Sequence, residues 1–248
     1  MQLDSIQNNE DGIFHMAIDD PANQNRLTQQ LCDELKEALT MLAGEKRMKV
    51  LILSGRKEVF CAGASLELLR RISTDGAVED LAVGIQMMAL PVPIIAAMEG
   101  HAVGGGLVLG MCCDLTIASE TSRYGLNFLT MGFTPGMGTT GLVPELVGAS
   151  FAAEMMLTGK FYKGRDLRGR GLFTHVVPRD QVLPMTWDLA RNMADKPGYA
   201  LEMVKDAVMA PRRRAFQDAL SRERLMHKAC FSHSEAWSMI ENSYLKQD

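Results

Sequence analysis

The sequence has no CxxC pair, and no spacing of its cysteines is typical of a zinc site. Its five cysteines are therefore interpreted as reduced, mostly buried thiols: Cys32, Cys61, Cys112, Cys113 and Cys230. No apolar run is long enough to span a membrane, and residues 1–10 lack the basic start and apolar run of a signal peptide. These absences predict a cytoplasmic protein without membrane contact.

An excess of basic residues is also missing, since the formal net charge is -4. This charge gives no support for general nucleic-acid binding. The apolar fraction of 47% and the charged fraction of 23% are those of an ordinary globular protein. A chain of 248 residues is long enough to bury one substantial core, so one main domain is expected.

Short apolar runs alternate with helical patterns in the first half of the chain. Strands are predicted at residues 13–18, 50–54, 94–98, 115–118 and 175–177, and helices at 28–42 and 66–72. Thr28 is the predicted N-cap of the first helix. This alternation indicates an α/β fold.

From residue 150 onward the periodicity is almost wholly helical. We therefore divide the chain into a core, residues 1–195, and a C-terminal helical region, residues 196–248. A final helix is predicted to open at Pro211 and to run to Leu245, because proline is favoured at the first position of a helix. Its apolar face is expected to pack on the core or on a neighbouring subunit.

Two glycine-containing segments follow predicted strands and precede apolar helices: residues 60–65 (FCAGAS) and residues 101–107 (HAVGGGL). Neither segment has the GxGxxG or GxxxxGKS/T spacing of a phosphate-binding loop. Such turns leave the first backbone N–H groups of a helix unpaired, so one N–H from each segment can form an oxyanion hole for a thioester enolate. Each segment alone is equally compatible with a tight turn needed only for packing.

Together the two segments resemble the enoyl-CoA hydratase/isomerase family, also called the crotonase superfamily. The resemblance includes Pro21, Asn25 and Leu27, residues 60–64, residues 100–114 and residues 132–138. It implies the crotonase fold, a spiral of ββα units with a C-terminal helical region, and a trimer or a dimer of trimers. By matching positions, it places the oxyanion hole on the backbone N–H groups of Ala64 and Gly105.

Family members that hydrate enoyl thioesters use two glutamates, and the matching positions here are Val108 and Phe128. Neither side chain can transfer a proton, so hydratase chemistry is not expected. Both are expected to line the substrate pocket. A decarboxylase needs the oxyanion hole for the enolate or dienolate that CO2 leaves behind, but it needs no base to activate water.

The stretch from Asn127 to Gly138, together with Met226 and His227, resembles the second crotonase-like enzyme of polyketide β-branching cassettes. This resemblance implies a cofactor-free, metal-free decarboxylase. Its substrate would be a 3-methylglutaconyl group on the phosphopantetheine of an acyl carrier protein, and its product a 3-methylcrotonyl-type thioester. One departure is that some relatives carry Tyr and Lys on the helix after residue 65, where this chain has Leu68 and an Arg70-Arg71-Ile72 run.

Three groups of residues are candidates for further roles. His227 is the predicted proton donor, because the pair Met226-His227 matches the relatives that this chain resembles and because imidazole titrates near neutral pH; His233 is its competitor. Arg70 and Arg71 point about 100° apart on a helix, so at most one of them is expected to face the site and bind the substrate carboxylate. We favour Arg71 for this role, and Arg70 is the alternative. The basic run from Arg212 to Arg214 is a candidate surface for the acidic carrier protein. For each group, a surface or packing role is the alternative.

Two other functions remain open on the sequence. An enoyl-thioester isomerase would use the same dienolate with a base in place of a leaving carboxylate. A catalytically inactive scaffold would bind acyl carriers without turnover.

Overall fold

The computed structural model describes residues 6–8, 11–75 and 83–245, and its strands form two sheets. The first sheet has the order β1-β2-β3-β5-β7-β10 and the second β4-β6-β8-β9. The strands are β1 (Ile6–Asn8), β2 (Ile13–Ala17), β3 (Val50–Ser54), β4 (Val59–Cys61), β5 (Ile94–Met98), β6 (His101–Val103), β7 (Leu115–Ser119), β8 (Arg123–Gly125), β9 (Phe161–Lys163) and β10 (His175–Val177). Only the pairs β1–β2 and β8–β9 are antiparallel among the described strands.

Nine α-helices occur in the described residues, and none of them is long and apolar enough to cross a membrane. They are α1 (Gln29–Ala43), α2 (Leu66–Asp75), α3 (Val83–Ala89), α4 (Gly105–Met111), α5 (Thr139–Val147), α6 (Ala149–Thr158), α7 (Arg179–Ala194), α8 (Gly198–Cys230) and α9 (Ser234–Leu245). Short 3₁₀ helices lie at Leu129–Met131 and Gly164–Leu167.

The central strands of the first sheet are buried at every position, which explains their continuous apolar sequences. Successive side chains point to opposite faces. Val50 and Ile52 belong to a cluster that packs against α7. Leu51 and Leu53 belong to the larger cluster on the other face.

The chain repeats a ββα unit, in which one strand joins each sheet before a helix follows. The units are β3-β4-α2 and β5-β6-α4, and β7-β8 begins the next turn. Parallel pairing of β3 with β5 and of β4 with β6 stacks these units on one another. The predicted crotonase fold is therefore confirmed. The stacking also brings the end of β4 beside the end of β6.

The predicted strands at residues 50–54, 94–98 and 175–177 have the observed bounds. Thr28 caps α1, since its hydroxyl accepts a hydrogen bond from the N–H of Leu31 at 3.1 Å. Four cysteines are buried and Cys230 is half-buried. Most of the N-terminal segment 1–10, for which no targeting signal is expected, lies outside the described residues.

The prediction that a helix opens at Pro211 is wrong, because α8 runs without interruption through that residue. Proline removes a backbone hydrogen bond inside a helix, but tertiary packing holds α8 together here. Phe216 is buried, and the backbone of Ala215 lies so close to α5 that a β-carbon on Gly141 would meet the Ala215 carbonyl oxygen at 2.0 Å. The last helix instead begins at Ser234. The boundary predicted at residues 195 and 196 falls between α7 and α8 and stays a prediction.

Candidate functional site

Two backbone N–H groups are presented by the adjacent ends of β4 and β6. Each follows a glycine in the left-handed region, with φ of 86° at Gly63 and 50° at Gly104. Residues with a β-carbon adopt this conformation at a cost, so glycine suits both turns. The two turns also pack closely, because a β-carbon on Gly106 would lie 2.2 Å from the carbonyl oxygen of Cys61.

The N–H groups that follow these glycines, those of Ala64 and Gly105, have no backbone acceptor within the described part of the chain. Leu27 pairs with Ala64 in a parallel bridge, but the bonds of that bridge use the Gly63 carbonyl and the Ser65 N–H. Gly105 is the first residue of α4, where no intrahelical acceptor exists. Two open donors therefore face one cavity, which both residues line.

This cavity encloses about 650 Å³ when the open space at its mouth is included. Its wall is mainly apolar, and no Asp or Glu is among the described residues that line it. The apolar lining consists of Leu69, Ile72, Val103, Phe128, Met131, Phe133 and Met137. The polar side chains at the wall are Arg26, Asn127, His227 and Tyr244.

His227 reaches the cavity from α8 and is only 8% exposed. Its Nε2 lies 2.8 Å from the carbonyl oxygen of Thr134. Burial lowers the pKa of His227, and the carbonyls of Thr134 and Pro135 oppose this effect more weakly. A β-carbon on Gly136 would stand 2.5 Å from Cε1 of the ring, so this position requires glycine.

The loop that holds His227 is itself bound by a buried carboxylate, Glu223, one turn earlier on α8. Glu223 accepts hydrogen bonds from the N–H of Gly138 at 2.6 Å and from the N–H and hydroxyl of Thr140 at 2.7 and 2.8 Å. Burial raises its pKa, although these hydrogen bonds favour the ionised form. Between the bound groups and the cavity lies Met137, whose φ of 61° is strained for a residue with a β-carbon.

Arg26 and Tyr244 line the cavity but were not identified from the sequence. The Tyr244 hydroxyl donates to the carbonyl oxygen of Ala64, and the guanidinium of Arg26 lies 5.6 Å from the centre of the Tyr244 ring. Burial raises the pKa of Tyr244 to about 12. Arg26 stands between Asn25 and Leu27, inside a motif that the sequence did reveal, whereas nothing in the sequence marks Tyr244.

The other predicted site residues divide between the cavity and its surroundings. Phe128 lines the cavity, whereas Val108 is fully buried in α4 behind it. Arg71 is exposed on α2, and the structure does not place it at the cavity wall. Arg70 is also exposed and forms a 3.0 Å ion pair with Glu241 of α9. Arg71 as a ligand of the substrate carboxylate thus receives no support from the geometry.

The predicted basic surface is also smaller than the sequence indicates. The guanidinium of Arg212 turns inward and donates to the carbonyl oxygens of Met111 and Cys113. Arg213 is half-buried and pairs with Asp206. A run of three arginines on one helix cannot present all three to the same partner, since neighbouring side chains point about 100° apart. Arg214 alone of the three is exposed.

Comparisons with known proteins agree with this geometry. The family model for enoyl-CoA hydratase/isomerase matches residues 8–245. The bacillaene synthase decarboxylase PksI of Bacillus subtilis (strain 168) is 36% identical over 241 residues, covering 95% of each chain. The ECH2 decarboxylase domain of CurF from Lyngbya majuscula superposes with a TM-score of 0.87 at 32% identity, over 96% of this chain and 98% of that chain. A structure from a dehydratase/decarboxylase enzyme couple involved in polyketide β-branching superposes with a TM-score of 0.88 at 34% identity. The match covers 95% of this chain and 97% of that chain.

Proposed function

The chain belongs to the enoyl-CoA hydratase/isomerase family, and we propose that it decarboxylates a 3-methylglutaconyl-type thioester on an acyl carrier protein in polyketide β-branching. The observation that carries this proposal is a cavity with two open N–H donors, one histidine and no carboxylate among the described lining residues. Hydration needs an acid and a base around a water molecule. Decarboxylation needs only hydrogen-bond donors that stabilise the developing negative charge, and a proton for the dienolate afterwards.

The thioester carbonyl oxygen would accept hydrogen bonds from the N–H groups of Ala64 and Gly105. The bond between C4 and the free carboxylate then breaks, and CO2 leaves without its bonding electrons. Those electrons form a C3=C4 double bond, and the former C2=C3 electrons shift to give a dienolate on the thioester oxygen. Donors fixed before the reaction stabilise this oxygen without reorganisation, and one such donor is worth about 100- to 1000-fold in rate.

Protonation of the dienolate at C4 gives the 3-methylcrotonyl-type product, and we assign this proton to His227. The assignment is supported by the position of the imidazole, which reaches the cavity beside Phe133 and Gly136. Solvent then restores the proton to the ring. The apolar wall keeps bulk water from the dienolate and disfavours a charged carboxylate relative to neutral CO2.

The partners of the enzyme are proposed on separate grounds. The reported relatives from polyketide β-branching support an acyl carrier protein as the substrate carrier. A homo-oligomer, a trimer or a dimer of trimers, is supported by large apolar side chains on the first half of α8, where Tyr199, Met203 and Val208 are at least 67% exposed. Light scattering of the purified protein tests this assembly.

Mass spectrometry of a carrier-bound 3-methylglutaconyl group tests the proposed reaction. Incubation with the protein should remove the mass of one CO2. An unchanged mass with a shifted double bond would indicate an isomerase instead. An unchanged substrate that stays bound would indicate a catalytically inactive scaffold. A crotonyl thioester serves as the control and should not gain the mass of water.

A further inference from the structure

Arg26 is the one permanent cation among the described residues that line the cavity. The side chain is half-buried, and its backbone is fixed on both sides. On one side, the Asn25 side chain is fully buried and donates to the carbonyl oxygens of Ile18, Val59 and Phe60. On the other side, Leu27 pairs with Ala64 in a parallel bridge. The backbone of Arg26 is therefore fixed in position relative to the oxyanion hole.

A cation at this place selects for an anionic group on the ligand. The proposed substrate has two candidates, the free carboxylate of its acyl group and the phosphate of the carrier's prosthetic arm. The carboxylate is only a few bonds from the thioester, whereas the phosphate is separated from it by the whole pantetheine arm. Because Arg26 lines the same cavity as the N–H groups of Ala64 and Gly105, its position favours the carboxylate over the phosphate as the group that it binds.

The other cations near this region do not offer an alternative. Arg70 and Arg71 lie on the exposed face of α2, and the residues that α2 contributes to the cavity are Leu69 and Ile72. His227 is a weak competitor for the carboxylate, because burial lowers its pKa and favours the neutral ring.

We propose that Arg26 is a specificity-determining residue, whose guanidinium binds the free carboxylate of the acyl group before that carboxylate leaves as CO2. This inference rests on the proposed function, and it identifies the free carboxylate as the substrate group that the same site binds. Arginine suits this task because its planar guanidinium forms paired hydrogen bonds with a carboxylate.

The position of Tyr244 explains how such a residue can bind the carboxylate without preventing its loss. An interaction that is stronger with the substrate than with the transition state improves binding but does not raise the turnover number. The Tyr244 ring, 5.6 Å from the guanidinium, stabilises the cation both before and after the carboxylate becomes neutral CO2. Arg26 is therefore expected to affect KM much more than kcat.

The test compares Arg26→Met and Arg26→Lys with wild type, using the pantetheine thioester of 3-methylglutaconic acid and a neutral analogue in which the free acid is a methyl ester. The matched control is Arg47→Met, which removes an exposed arginine that forms an ion pair with Glu45, two residues away. Arg26→Met should raise KM for the acid by about 10- to 100-fold, as expected for hydrogen bonds to a charged group. Its kcat should stay the same or rise by up to about 3-fold, because the lost interaction is stronger with the substrate than with the transition state. The dissociation constant of the ester should be unchanged.

Arg26→Lys should restore part of the affinity for the acid, and Arg47→Met should match wild type. The inference is overturned if wild type decarboxylates the acid and Arg26→Met does so with the same KM. It is also overturned if Arg26→Met weakens binding of the acid and the ester equally, because the arginine would then contact the arm or support the wall. If wild type binds the acid through Arg26 but releases no CO2, the inference stands and the proposed function fails.

Discussion

The Nε2 atom of His227 lies 2.8 Å from the carbonyl oxygen of Thr134, which places a proton on that nitrogen. A carbonyl oxygen can only accept a hydrogen bond, so Nε2 must be the donor. In the neutral ring Nδ1 is then without a proton. The ring must gain a second proton before it can act as an imidazolium acid. The protonation state of His227 therefore determines whether it can donate the proton in the final step of the proposed reaction.

We expect His227→Ala to lower turnover by about 100-fold or more, the usual contribution of a general acid. His233→Ala is the matched control, because His233 is exposed and is not among the residues that line the cavity. Steady-state rates with the pantetheine thioester measure the effect, and circular dichroism checks the fold of both variants. A well-folded His227→Ala enzyme with normal turnover would assign the proton to water or to another residue.

The pH dependence of turnover follows from the direction of the His227 pKa. Burial lowers this pKa from the ordinary value of histidine and so favours the neutral ring over the imidazolium form. If the imidazolium donates the proton and this step limits the rate, turnover should fall as pH rises through the lowered pKa and above it. A pH–rate profile of kcat measures this. A flat profile from pH 5 to 8, a range chosen around the ordinary titration range of histidine, would limit His227 to orienting another donor.

The oxyanion hole is tested by two substitutions at one position. Gly105→Pro removes the backbone N–H, whereas Gly105→Ala retains it and crowds the ends of two side chains, Met137 at 2.8 Å and Leu27 at 3.3 Å. We expect Gly105→Pro to lose about 100-fold or more in kcat and Gly105→Ala to lose much less. Single-turnover rates measure the chemical step. Equal losses in both folded variants would mean that crowding, and not the N–H, is responsible.

Glu223→Gln tests the carboxylate that holds the loop from residue 136 to residue 140. The substitution removes the negative charge that all three donors contact, and it places an NH2 group, which cannot accept a hydrogen bond, opposite at least one of these buried donors. The free energy of unfolding should fall by about 1–3 kcal/mol. Urea denaturation measures this. Glu235→Gln, on the first turn of α9, is an exposed control that should leave the free energy near its original value.

Much of the fold was predictable because its strands carry strong local signals. The buried parallel strands are continuous apolar runs between Gly, Pro or Asp, and Thr28 caps α1 through its own hydroxyl. Pro211 misled the prediction because a local preference was overridden by the packing of α8 on α5. The turns at Gly63 and Gly104 stood out because each contains glycine between a strand and a helical pattern, and the structure shows a positive φ at both glycines.

The rest of the site depends on contacts between distant parts of the chain. The Tyr244 hydroxyl donates to the carbonyl oxygen of Ala64, which lies 180 residues earlier in the chain, and no local sequence pattern predicts that contact. The direction of Arg71 depends on how α2 is rotated against α9, which a helical pattern with several apolar positions does not fix. The same limit applies to Arg212, whose buried acceptors belong to the segment around Met111.

The most direct test of the central claim uses carrier-bound substrate labelled with ¹³C in the free carboxylate. The proposed reaction predicts that wild type releases one labelled CO2 for each thioester consumed, and that Gly105→Pro releases it at least about 100-fold more slowly. The label should be absent from the product thioester. Consumption of the substrate with the label retained in the thioester would contradict decarboxylation.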